Sequence, residues 1–251
     1  MLPYIHVGPL TLGTFGILVA VGLLVAAYVM TKDLRRRELP ADASLIVAYT
    51  GIAGLVGSRL YHLLESPHEF FANPWPLLFS RMGFAWFGAV IGGLITLLLL
   101  ARHYRIPALR MLDIASPAAA IGYGIGRIGC LISGDGDYGI PTSLPWGMSF
   151  PNGIVPTTER VHPTPIYEFL AALVIFWIIW RLGARTMRDD RAIGKVFAVY
   201  LILSGVARFL VEFIRLNPRS FFGMTNAQTA SIASVLLGAA ILFHLRRQIA
   251  A

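Results

Sequence analysis

Five ionisable residues stand inside stretches that are otherwise apolar: Arg59, Arg127, Glu168, Arg208 and Glu212. In hydrocarbon each costs several kcal/mol unless it is paired or solvated in a cavity, so their positions are informative. Arg208 and Glu212 stand at i and i+4, on one face of a helix, where the carboxylate can hold the guanidinium. Three arginines against two glutamates leave one positive charge over, and an excess charge in an intramembrane cavity calls for an anionic partner. The obvious anion of a membrane is a phospholipid phosphate, which arginine grips through a planar bidentate fork that lysine lacks. Polar aromatic residues and histidines flank the set: Tyr61 and His62 follow Arg59, while His162 and Tyr167 precede Glu168.

The elements that must position these side chains are long apolar runs. The 251 residues are 56% hydrophobic and only 14% charged, with a mean hydropathy of +0.68, which exceeds what a single water-soluble core of this size can hide. About 20 residues at 1.5 Å each cross the ~30 Å of bilayer hydrocarbon. Seven segments qualify, near residues 10–31, 44–64, 83–101, 112–133, 164–182, 193–214 and 226–245, predicting an all-α polytopic membrane protein of one domain spanning 1–251. Fourteen of the lysines and arginines lie in the segments 31–43, 101–111 and 181–195 and after 245, whereas the alternate loops hold Arg81, Arg160, Arg215 and Arg219. The basic set marks the cytoplasmic side, with the N-terminus outside, the C-terminus inside and the first segment a retained helix. The formal charge of +8 is therefore chiefly a topology signal, and nucleic acid is not an expected partner. Arg127 lies fourteen residues after Asp113 on an outward-running helix, ~21 Å along it, in the outer third. The same arithmetic brings the other four ionisable residues to that depth. A Gly- and Pro-rich outer loop, about 134–163, caps this end.

Several motifs are weaker than they look. Gly124 to Gly129 satisfies GxGxxG but lies in a spanning run with no preceding strand, so it is no dinucleotide site. Asp135-Gly136-Asp137 has the DxD form of metal-dependent glycosyltransferases, although a Gly-rich turn capped by two aspartates explains it as well, and no metal or organic cofactor is expected. Ser133-Gly134 and Ser204-Gly205 lack the spacing of intramembrane proteases. Cys130 reads as a packing residue, and Gly88 with Gly92 and Gly122 with Gly126 as close helix approaches.

Taken together, Gly126 to Gly134 with Tyr138-Gly139, His6 to Leu10, Gly57 to Tyr61, His162 to Glu168 and Arg208 to Arg215 resemble, in the same order, segments of the prolipoprotein diacylglyceryl transferase family. The resemblance implies a bacterial inner-membrane enzyme, without cofactor. It would move the diacylglyceryl group from phosphatidylglycerol to the thiol of a lipobox cysteine in a preprolipoprotein and release glycerol phosphate. It implies that Arg127 and Arg208 hold the phosphate, that Glu212 orients Arg208, and that Arg59, Tyr61, Asp135, Asp137, Gly139, Tyr167 and Glu168 line the substrate site. The family's tyrosine near the start of the first helix, its histidine in an HGG motif and its asparagine after GRxG are Phe15, Phe87 and Cys130 here. With phenylalanine in the histidine position, His162 becomes the expected base for the acceptor thiol, ahead of His62. The alternatives are transfer to another acceptor and a non-catalytic lipid-binding protein.

Overall fold

The computed structural model of the chain describes residues 1–65, 67–72, 75 and 85–250; Arg81, one of the loop arginines, lies outside them. The chain opens with an antiparallel hairpin of β1 (Tyr4–Val7) and β2 (Leu10–Gly13), in which Val7 faces Leu10 across a turn where Gly8 takes φ +58°. Residues 10–13, expected to begin the first helix, are therefore a strand. Their backbone groups pair with β1, and the hairpin is tied down by Leu2 N–H donating to Ile132 O at 3.0 Å and Thr14 N–H to Pro3 O at 2.9 Å.

Helices α1 (Thr14–Arg36), α2 (Ala43–Glu65), the short α3 (Pro67–Ala72), α4 (Trp86–His103) and α5 (Ala108–Ser133) follow. Then come α6 (Thr164–Thr186), α7 (Lys195–Val211) and α8 (Asn226–Ala250). Among the described residues seven helices, all but α3, are long and apolar enough to cross a membrane, so this is an all-α polytopic membrane protein. Their large apolar side chains point outward, Leu24 being 72% and Leu64 78% exposed, as a bundle solvated by lipid requires. The outer loop carries a second hairpin, β3 (Met148–Phe150) with β4 (Thr157–Val161), and a third, β5 (Arg219–Phe221) with β6 (Met224–Thr225), precedes α8.

Helix α5 is the most buried of the seven and packs against α1, α4, α6 and α7. Glycines set how closely its neighbours approach. A Cβ on Gly88 of α4 would strike the Gly57 backbone of α2, and one on Gly92 the Ala53 carbonyl. Gly122 faces Gly22 of α1, where a Cβ on Gly22 would come 3.1 Å from the Gly122 oxygen. Gly126, expected to share that role, does not: a Cβ there meets nothing within 4 Å. At the opposite end of the bundle Asp113 of α5 accepts the N–H groups of Gly194 at 2.7 Å and Phe197 at 2.8 Å, capping α7 from a neighbouring helix. The buried Asp33 takes the guanidinium N–H groups of Arg36 and Arg37, and Arg36 lies 4.1 Å over the Trp180 ring.

Candidate active site

Helix α5 ends where Gly134 enters the left-handed conformation, φ +60°, and its N–H caps Cys130 O at 2.9 Å. That stop places Arg127 in the last two turns of α5 and turns the chain back through Asp135-Gly136-Asp137. The turn is strapped from outside: Ile154 N–H donates to Ser133 O at 3.0 Å and Val155 N–H to Gly134 O at 2.9 Å. Gly134 and Gly153 are so close that a Cβ on the former would lie 2.6 Å from the latter's Cα. Gly139 is stitched on both sides. Its N–H donates to His162 O at 2.8 Å, it pairs with Arg215 in a β-bridge, and the next residue, Ile140, donates to Ile214 O at 2.8 Å. A Cβ on Gly139 would strike Ile214 O and the His162 side chain, so its position in the site is steric.

Glu168, 4% exposed in the first turns of α6, is the hub. Its Oε1 accepts from Arg208 Nη1 at 2.9 Å and from the Tyr123 hydroxyl at 2.6 Å. Its Oε2 lies 2.6 Å from Arg127 Nη2 and 3.3 Å from Arg215 Nη1. Arg208 is held a second time by Glu212, Oε2 to Nη2 at 2.9 Å, in the i, i+4 pair expected from the sequence. Helix α7 tightens there into a 3-10 turn, Glu212–Ile214, which swings Arg215 inward while Asn217 donates to Glu212 Oε1 at 2.6 Å. Asp137 bridges Arg127 and Arg215, one oxygen to each, and its own carbonyl accepts from Thr164.

Within the ion-paired cluster itself the charges balance. Asp137 and Arg215 join, and three guanidinium groups, Arg127, Arg208 and Arg215, meet three carboxylates, Glu168, Glu212 and Asp137. Arg215 counts among the loop charges in the sequence, yet its spacing from Arg208 and Glu212, i+7 and i+3, is a usable signal for the same face. Tyr123 carries none, because nothing in an apolar run tells which tyrosine faces a carboxylate on another helix. Arg208 is the accessible member, its side chain 29% exposed, whereas the Arg127 Nε–H is buried with no acceptor among the described residues.

The remaining candidates surround this core. His162 Nδ1 lies 3.2 Å from the Tyr167 hydroxyl, which accepts the Trp146 indole N–H at 2.8 Å. The indole can only donate, so the Tyr167 oxygen accepts from it, and the direction of the contact with Nδ1 follows the imidazole tautomer. Arg59 is buried on α2, and Tyr61, two residues on, packs its ring 6.4 Å from Phe87. Cys130, Asp135 and Asp137 offer a sulphur and carboxylate oxygens within 4.8 Å of one another. Both Asp137 oxygens are taken by arginine, so this half of the DxD serves cation pairing. Burial works against ionisation of Asp137, but Arg127 and Arg215 outweigh it and hold its carboxyl down to about 2.

The model of the family described as prolipoprotein diacylglyceryl transferase matches residues 3–244. The chain belongs to this family. Proteins called phosphatidylglycerol–prolipoprotein diacylglyceryl transferase are its relatives. That of Clostridium tetani is 33% identical over 228 residues, covering 89% of each chain. That of Leptospira interrogans is 32% identical over 249 residues, 86% of this chain and 77% of the relative. The Synechococcus elongatus protein is 29% identical over 258 residues, 98% of this chain and 88% of the relative. For a member of the prolipoprotein diacylglyceryl transferase family the salt-bridged cluster of α5, α6 and α7 is the candidate place of reaction.

Proposed function

We propose that this protein transfers the diacylglyceryl group of phosphatidylglycerol to the thiol of a lipobox cysteine in a preprolipoprotein, in the inner membrane of a bacterium, and releases glycerol phosphate. The observation that carries this reading is the pair Arg127 and Arg208, drawn together on the two oxygens of the buried Glu168. The N-terminus lies outside, so the cluster faces the outer leaflet, where the donor headgroup sits at the same depth.

The donor phosphate enters from the side on which Arg208 is exposed and is gripped by Arg208 and Arg127. Charge grows on the bridging phosphate oxygen as the glyceryl carbon–oxygen bond breaks, and two fixed guanidinium groups in a water-poor site stabilise that charge without reorganising. Glu168, Glu212 and Asp137 hold the arginines in place beforehand. Arg59 and Tyr61 on α2 bind the donor from the far side, and Gly139, His162 and Tyr167 form the outer wall against which the acceptor peptide lies. Incubating the purified protein with glycerol-labelled phosphatidylglycerol and a lipobox peptide tests this. A labelled thioether on the cysteine is the expected product, and its absence overturns the reading.

A further inference from the structure

An acceptor thiol must lose its proton, and the groups of the cluster are occupied. The three arginines only donate, and Glu168, Glu212 and Asp137 each hold arginine. His162 is tied through Nδ1 to the Tyr167 hydroxyl. Asp135 is different: among the described residues no arginine forms an ion pair with it. It stands in the turn between Gly134 and Gly136, both at positive φ, where its Oδ1 accepts the Asp137 N–H at 3.2 Å. Its carboxylate and the Cys130 sulphur lie within 4.8 Å of each other. Cys130 Sγ in turn lies 3.5 Å from Arg127 Nη1. The chain's own thiol thus sits between a carboxylate and a guanidinium. An incoming thiol that is to become a thiolate beside the donor phosphate needs those two neighbours.

We propose that Asp135 is the general base of the reaction, taking the proton of the acceptor cysteine thiol. This rests on the thiol-acceptor reading above. The S–H proton passes to an Asp135 oxygen, the sulphur pair forms the carbon–sulphur bond to the glyceryl carbon, and the carbon–oxygen pair leaves with the phosphate. Asp135 then returns the proton to solvent or to the departing phosphate. Its environment suits a proton acceptor, because burial raises its carboxyl above the ordinary range, the neighbouring Cys130 thiol offsets part of that, and the Asp137 charge adds to it. The groups acting on it are Cys130 and Arg127 on α5 and Asp137 in its own turn, and the 150–155 strap over the turn contributes no charge. Two carboxylates two residues apart are thereby split into a fixed counter-ion and a proton acceptor.

The test compares wild type, D135N and D135E, as full-length protein in phosphatidylglycerol vesicles, on a lipobox peptide and on the same peptide with selenocysteine in place of cysteine. A selenol is ionised at neutral pH and needs no base. With the thiol peptide D135N is expected to lose about 10²–10⁴-fold in kcat at unchanged KM, and its rate is expected to climb with pH. With the selenol peptide most of that loss disappears. Wild-type rates in D135N, or equal losses on thiol and selenol, overturn the proposal. If D135N does not accumulate, D135E decides in the same way: a displaced base slows the thiol peptide more than the selenol peptide, and equal slowing overturns it. A wild type that forms neither thioether nor selenoether overturns the transferase reading itself, and the base with it.

Discussion

At the residue scale, Arg208 shows what the cluster asks of each side chain. It is shared between Glu168 and Glu212 and is the guanidinium most open to a ligand. Arg208→Ala and Arg127→Ala are each expected to lower transfer by about 10²–10³-fold or more while the protein still inserts, as read by labelled product and by membrane fractionation. Arg208→Lys recovers only a minor part, because a point charge cannot replace the fork held at both ends. Glu212→Gln keeps a hydrogen bond and loses the charge assistance, on the order of 1.5–3 kcal/mol, which is about 10–100-fold in rate; Glu212→Ala loses more. Equal and complete loss in both variants would instead assign proton transfer to Glu212. Asp137 sets the pH behaviour. Its depressed carboxyl contributes stability above its unfolded value near ~3.9 and loses that contribution as pH falls from there through about 2. The difference in unfolding midpoint between wild type and Asp137→Asn is therefore expected to be constant above pH ~5 and to shrink below pH ~4. Arg127, Glu168, Arg208 and Glu212 were legible in the sequence because hydrocarbon makes any charge conspicuous. Asp137 was singled out together with Asp135, though not its pairing with Arg127 and Arg215; Arg215 was left among the loop charges despite its helical spacing from Arg208 and Glu212, and Tyr123 is an aromatic residue among aromatic residues.

At the scale of the elements, the helices followed from length and hydropathy alone, since a bilayer leaves the backbone few other ways to satisfy its hydrogen bonds. The small departures have local causes. Residues 10–13 pair as a strand because Tyr4–Val7 supplies the partner, a relation no apolar window detects. Gly88 and Gly126 have the same small residue in the same kind of run, yet only the first meets a facing backbone, and that depends on which side of the helix its neighbour crosses. Gly88→Ala is expected to push α4 off α2 and lower the thermal midpoint in detergent, with a cost reaching the ~1–3 kcal/mol of overpacking. Gly126→Ala is expected to leave the midpoint unchanged or raise stability by up to ~1 kcal/mol, the ordinary gain of alanine over glycine in a helix. A destabilised Gly126→Ala variant would show that something fills the space beside it.

At the scale of the whole molecule, the cluster gathers side chains that are far apart in the chain: Arg127 on α5, Glu168 on α6, and Arg208 and Arg215 at the end of α7. The ribosome delivers them in that order, so Arg127 reaches the membrane before Glu168, forty-one residues later, can receive it. Only Asp137, ten residues on and bonded to Arg127, comes with it. The turn that looked like a metal motif is on this view an escort, neutralising an arginine during insertion until its permanent neighbours are made. Asp137→Asn should then lower the amount of protein that reaches the membrane, and pairing it with Arg127→Gln should restore the yield though not the activity. An unchanged yield in Asp137→Asn would mean that Arg127 waits in water until α6 arrives.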